Sequence, residues 1–174
     1  MTLFLDRDGV INRRLIDDYV KTPEEFVFEE GVPEAMAKLS KCFERIIVVT
    51  NQQGIGKKLM NESTLHNIHE HMKRQLEKAG GRIDAIYFCP DLKQTKSIYR
   101  KPNIGMGLLA KRQFPDIRFK QSVMVGDAIS DMKFGKKLGM KTVFISNDKS
   151  LVSSHAELID QNYTNLFEYA KTCC

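Results

Sequence analysis

Short runs of aliphatic and β-branched residues recur along the chain, each followed by a longer segment whose apolar residues return at helical spacing. This alternation constrains the fold more than any other feature. The runs are Thr2–Leu5, Arg45–Thr50, Ile83–Phe88, Ser122–Val125 and Lys141–Ile145. The helical segments are Pro33–Cys42, with proline in its first turn, Ser63–Ala79, ending at Gly80-Gly81, Ile104–Phe114, and Ser130–Leu138, stopped by Gly139. A last amphipathic stretch, Thr164–Lys171, is expected to be a helix packed on the sheet edge. Strands joined through helices return parallel, so the pattern predicts an α/β fold: a three-layer α/β/α sandwich around a Rossmann-like parallel sheet. With 174 residues, of which 42% are hydrophobic, there is material for one core, and one domain over residues 1–174 is expected.

Composition removes several classes. Charged residues make up 28% and no biased tract occurs, so neither a disordered nor a fibrous chain fits. No apolar stretch approaches the roughly 20 residues of a membrane span. The first acid, Asp6, directly follows Leu3-Phe4-Leu5, so no signal peptide can be drawn and a cytoplasmic location is expected. Four cysteines, Cys42, Cys89, Cys173 and Cys174, share no repeated spacing and read as reduced thiols. A net charge of +5 suits small anionic substrates and nucleic acid alike.

The chemistry lies where the predicted strands end, which is where open α/β sheets bind their ligands. Asp6-Arg7-Asp8-Gly9 follows the first run, Thr50-Asn51-Gln52 the second, and Gly126-Asp127 the fourth, with Asp131 one helical turn further; Arg100-Lys101-Pro102 precedes the third helical segment. An acid buried at a strand end is costly unless it is paired, protonated or bound to a cation. Four carboxylates against Lys101 leave a negative excess, and a phosphate monoester adds about two more negative charges. Binding such a group calls for a cation, and Mg²⁺ prefers a few carboxylates together with phosphate and water.

These four elements, in this order, resemble the motifs of the haloacid dehalogenase superfamily of phosphohydrolases, over about the first 150 residues. The string Phe4–Asn12, the later Tyr19-Val20 and Phe26–Val32, and Thr50–Ile55 are most similar to its heptose bisphosphate and histidinol-phosphate phosphatases. The resemblance implies a phosphomonoesterase in which Asp6 attacks phosphorus and becomes an aspartyl-phosphate. Asp8 then serves as general acid and base, which calls for the higher pKa of the two. It further implies Mg²⁺ held by the carboxylates of Asp6 and Asp127 and the carbonyl of Asp8. Thr50 and Asn51 donate to the phosphoryl oxygens, Lys101 neutralises them, Gln52, Arg100 and Tyr19 contact substrate, and Asp131 orients Lys101 or a metal-bound water. Asp6, Asp8, Thr50 and Lys101 are thus the expected catalytic set. No large insertion follows the first or third strand, so no large cap domain is expected, and Asn12–Glu30 and Asp91–Tyr99 must select the substrate.

Three departures bear on the substrate. Cys89-Pro90-Asp91 is followed by no cysteine before Arg100, so the zinc loop common in this subgroup lacks its ligands and no structural zinc is expected. Lys57-Lys58 stands where an arginine-glycine pair is common, and Ala128 where a lysine is common. His66, His69 and His71 read as a solvated or partly buried helix surface, since no acid or cysteine completes a ligand set. Lys93, Lys96, Arg100 and Lys101 are expected to form a basic rim suited to phosphosugars. Without an aromatic ladder, nucleic acid ranks below a small phosphosugar, with a 3′-end phosphatase as the alternative and a monomer as the expected state.

Overall fold

The computed structural model describes residues 1–173. Six parallel strands form one sheet: β1 (Thr2–Leu5), β2 (Arg45–Asn51), β3 (Ala85–Cys89), β4 (Val123–Gly126), β5 (Lys141–Ile145) and β6 (Gln161–Tyr163). Their order across the sheet is β3-β2-β1-β4-β5-β6, so the winding reverses at β1, which pairs with both β2 and β4. The helices are α1 (Val32–Cys42), α2 (Gln53–Gly56), α3 (Glu62–Lys78), α4 (Gly105–Gln113), α5 (Ile129–Leu138), α6 (Lys149–Ser154) and α7 (Leu166–Lys171).

Alternation along the strands sorts side chains into two cores. Leu3, Leu5, Ile46, Val48, Val123 and Val125 face one way, onto α1, α3 and α7. Phe4, Ile47, Val49 and Met124 face the other, onto Met106 and Ala110 of α4 and Phe134 of α5. This gives the three layers expected. Residues 6–31 and 90–104 carry only short 3-10 turns at Pro23–Glu25 and Lys93–Thr95 and two isolated bridges, Asp8 with Asn12 and Asn12 with Phe28, so no cap domain is inserted there. No helix among the described residues is long and apolar enough to cross a membrane.

Some expectations shift. The C-terminal helix packs on α1 as well as on the edge strand β6, where the Tyr169 ring lies 5.5 Å from that of Tyr163, and its Phe167 lies where a side chain at Gly31 would stand. The third strand begins at Ala85 rather than Ile83, because Asp84 turns its carboxylate onto the Ile46 N–H at 2.6 Å. Cys89 and Cys173 are free thiols. Cys174 lies outside the described residues. His69, expected on a helix surface, is only 5% exposed.

Candidate active site

The strand order places the C-terminal ends of β1, β2 and β4 side by side, and the expected acids meet there. Asp6 is fixed by its own N–H, which donates to the Val125 carbonyl at 2.9 Å, and by the Arg7 N–H, which donates to its Oδ1 at 2.7 Å. Carboxylate oxygens of Asp6, Asp127 and Asp131 all lie within 4.8 Å of one another. Lys101, 1% exposed, sets its Nζ 3.0 Å from Asp6 and 2.7 Å from Asp131. Asp131 is held in turn by the Ala128 N–H at the start of α5, which donates to its Oδ2 at 3.0 Å.

Two glycines make the convergence possible. Gly9 has φ +85°, and a Cβ there would stand 2.1 Å from Asp127 Oδ2; a Cβ on Gly126 would stand 2.3 Å from the Asp131 side chain. Backbone must approach carboxylate at both points. Gly9→Ala is therefore expected to push Asp127 out of the cluster, lowering kcat by about tenfold or more and stability by about 1 kcal/mol or more. Phosphate release and a denaturant melt measure the two effects; unchanged kinetics would show that Asp127 need not sit where it does.

Burial and crowding set the charges. Burial raises Asp6, and Asp131 and Asp8 add to it against the pull of Lys101, leaving its pKa at about 6. Asp127 is likewise raised to about 6 by burial and by Asp6, despite Arg14, whose Nη1 lies 3.2 Å from its Oδ2. Burial works against ionised Asp8 too and is the largest single influence, but Arg7, Asn12 and Gln52 together outweigh it. Arg7 Nη2 donates to both Asp8 oxygens, at 2.8 and 3.1 Å, while Asn12 at 3.0 Å and Gln52 at 2.7 Å add donors, so Asp8 lies below the ordinary carboxylate value. The expected order of the two pKa values is thus reversed, since Asp8 collects donors whereas Asp6 collects like charges.

The remaining residues form two groups. Thr50 is buried beside Gln52, whose amide donates to its Oγ1 at 3.0 Å as well as to Asp8. Asn51 spends its side chain on the Lys101 backbone, accepting from its N–H at 3.0 Å and donating to its carbonyl at 3.2 Å. Tyr19 and Arg100 stand in the wall of a cavity of about 720 Å³ above Asp6, with Tyr19 OH accepting from Gln53 at 2.8 Å. Arg100 also ties down the neighbouring loop by donating to the Asp91 carbonyl at 3.1 Å.

Two expectations about the cavity are corrected. None of Asp91–Tyr99 lines it; the first loop does, through residues 14–20. The basic groups facing it are Arg14, Lys57 and Arg100, whereas Lys93 and Lys96 are exposed elsewhere and Lys101 is buried among the acids. Sequence reasoning missed Arg14, Arg7 and Asn12. Only Asn12, four residues beyond Asp8 in a tight turn, carries a local signal; nothing in the sequence aims Arg14 at Asp127.

A family model described as polynucleotide kinase 3 phosphatase matches residues 2–163. The chain belongs to this phosphatase family. It is 35% identical to a D-glycero-alpha-D-manno-heptose-1,7-bisphosphate 7-phosphatase of Mycobacterium bovis, over 97% of this chain and 88% of that protein. It is 38% identical to the protein of the same name from Burkholderia mallei, over 92% and 88%. The crystal structure of D,D-heptose 1,7-bisphosphate phosphatase from B. bronchiseptica, complexed with magnesium and phosphate, superposes with a TM-score of 0.88 at 29% identity, covering 98% of this chain and 96% of that one. The chain is accordingly a phosphatase of haloacid dehalogenase type, an enzyme that hydrolyses a phosphate monoester.

Proposed function

We propose that this phosphatase is Mg²⁺-dependent, works through an aspartyl-phosphate on Asp6, and removes the 7-phosphate of a heptose 1,7-bisphosphate. The observation that carries the mechanism is the cluster in which Asp6, Asp127 and Asp131 meet around buried Lys101, with Arg14 reaching Asp127 from the cavity side. That donor set fits a hard divalent cation: two carboxylates raised to about 6 by burial and by neighbouring carboxylates are relieved by one. The carboxylates of Asp6 and Asp127 and the carbonyl of Asp8 would hold the ion. When bound, it neutralises the carboxylates and draws charge from the phosphoryl oxygens.

The chain's own groups do the rest. Asp6 forms a bond to phosphorus while the bond to the ester oxygen breaks, and Lys101, 3.0 Å from Asp6, steadies the charge gathering on the transferred group. Asp8 is ionised in the free chain, so it takes up a proton as the negatively charged phosphate ester arrives, passes it to the leaving alkoxide and then takes one from the water that releases phosphate. Thr50 donates to the phosphoryl oxygens, Asn51 holds the Lys101 backbone in place beside them, Asp131 orients Lys101, and Gln52 acts on Asp8, 2.7 Å away, as well as on substrate. Tyr19, Arg100, Arg14 and Lys57 face the cavity where the rest of a sugar phosphate would lie. The names of the relatives support heptose bisphosphate as the substrate.

The description of the matching family model favours a second reading, a nucleic-acid 3′-end phosphatase. Phosphate release with Mg²⁺ from heptose bisphosphate, histidinol phosphate and a 3′-phosphorylated oligonucleotide separates the readings. Heptose bisphosphate is expected to give the highest kcat/KM by about tenfold or more, with weak dependence on salt. A preference for the oligonucleotide that falls steeply with salt would transfer the assignment to the second reading.

A further inference from the structure

Arg7 is 1% exposed and among the largest fully buried side chains, yet the proposed chemistry gives it no step. Its guanidinium bridges two elements. Nη2 reaches both oxygens of Asp8, and Nη1 lies 3.2 Å from Nε2 of His69, which projects from α3. His69 is 5% exposed, its ring 6.3 Å from that of Phe88 on β3.

We infer that His69 is a positioning residue for Asp8, acting through Arg7. Arginine has donors only, so the contact is a hydrogen bond only when His69 Nε2 carries no proton, with the ring proton on Nδ1. The surroundings enforce that form, since burial and then the charge of Arg7 lower the His69 pKa to about 3, against the smaller pull of Asp8. The guanidinium is therefore held between a neutral acceptor and a carboxylate. Arg7 Nε already lacks a partner, so losing the acceptor at Nη1 would strand a second buried donor. Arg7 would turn to satisfy it and draw Nη2 off Asp8. Asn12 and Gln52 still hold Asp8, so the expected loss is a fraction of the full acid–base contribution of about 10²–10⁴-fold.

The inference rests on the proposed acid–base role of Asp8, and the leaving group provides the test. A sugar alkoxide needs a proton as it departs, whereas p-nitrophenolate leaves without one. His69→Leu is expected to lower kcat/KM for the sugar phosphate by about tenfold or more and for p-nitrophenyl phosphate by less than about threefold. His69→Gln, whose Oε1 can accept from Arg7, should recover the sugar phosphate value to within about threefold. Equal losses on both esters, or none on either, would overturn the inference. Should His69→Leu fail to fold by circular dichroism, His69→Asn, polar but too short to reach Arg7, takes its place with the same outcomes. Asp8→Asn separates the two levels of argument. If it leaves sugar phosphate turnover intact, the acid–base reading fails; if it removes turnover while the His69 variants do not, only the positioning role falls.

Discussion

Asp6→Asn is expected to cut turnover of any phosphate ester by at least about 10⁴-fold while leaving the chain folded. An amide of the same shape cannot attack phosphorus, and no neighbour can substitute. Asp127 and Asp131 are tied to Arg14 and Lys101, and Asp8 is ringed by Arg7, Asn12 and Gln52. Folding should survive because Asp6 is strained rather than supportive: its carboxylate is buried among like charges, and a neutral side chain removes that repulsion. Steady-state phosphate release and a thermal melt check the two halves. Full turnover in Asp6→Asn would mean that phosphorus is attacked by something else, and the mechanism proposed above would fall with it.

A comparable effect is expected from pH and magnesium acting together. Asp6 and Asp127 have pKa values of about 6 in the fold against an ordinary 3.8. Between those values the folded chain holds more protons than the unfolded one. The stability they contribute is therefore fully present below pH about 4 and lost as pH rises through about 6. With each pKa unit worth about 1.4 kcal/mol and the two groups sharing one field, the loss is about 3 kcal/mol. Asp8, whose pKa is lowered, acts in the opposite sense but below 3.8, outside this window. In a chelator, melting temperature should thus fall between pH 4 and 7 unless other groups compensate, and Asp6→Asn should flatten the fall. Magnesium at about a hundred times its Kd should return about 2.7 kcal/mol at neutral pH, or about 5–10 °C. A melting curve indifferent to magnesium would remove the cation from the cluster.

Much of this was legible before any coordinates, and the parts that were not share a cause. The strands of the sheet centre announce themselves because both faces are buried, making β2 nearly continuous in aliphatics. β6 was missed because Gln161-Asn162-Tyr163 is three residues long, partly exposed and polar, with nothing to mark it but its pairing with β5. The acids and Lys101 were readable because a charged residue at the end of an apolar run needs an explanation from chemistry. Arg14 and His69 were not. Each derives its role from a partner far along the chain, Asp127 and Arg7, and periodicity carries no record of such meetings. The order of the Asp6 and Asp8 pKa values was misjudged for the same reason, since Gln52 and the full reach of Arg7 enter only in three dimensions.

The paired hydrogen bonds between Asn51 and the backbone of Lys101 join the end of β2 to a turn fifty residues further along the chain, making one mechanical part. Neither segment can drift without carrying the other along, so a change at Asn51 will reproduce much of the damage of a change at Lys101, and making both will cost far less than the two penalties added. Efforts to widen the repertoire of this scaffold should treat that joint as a fixed bearing and vary the cavity walls around it.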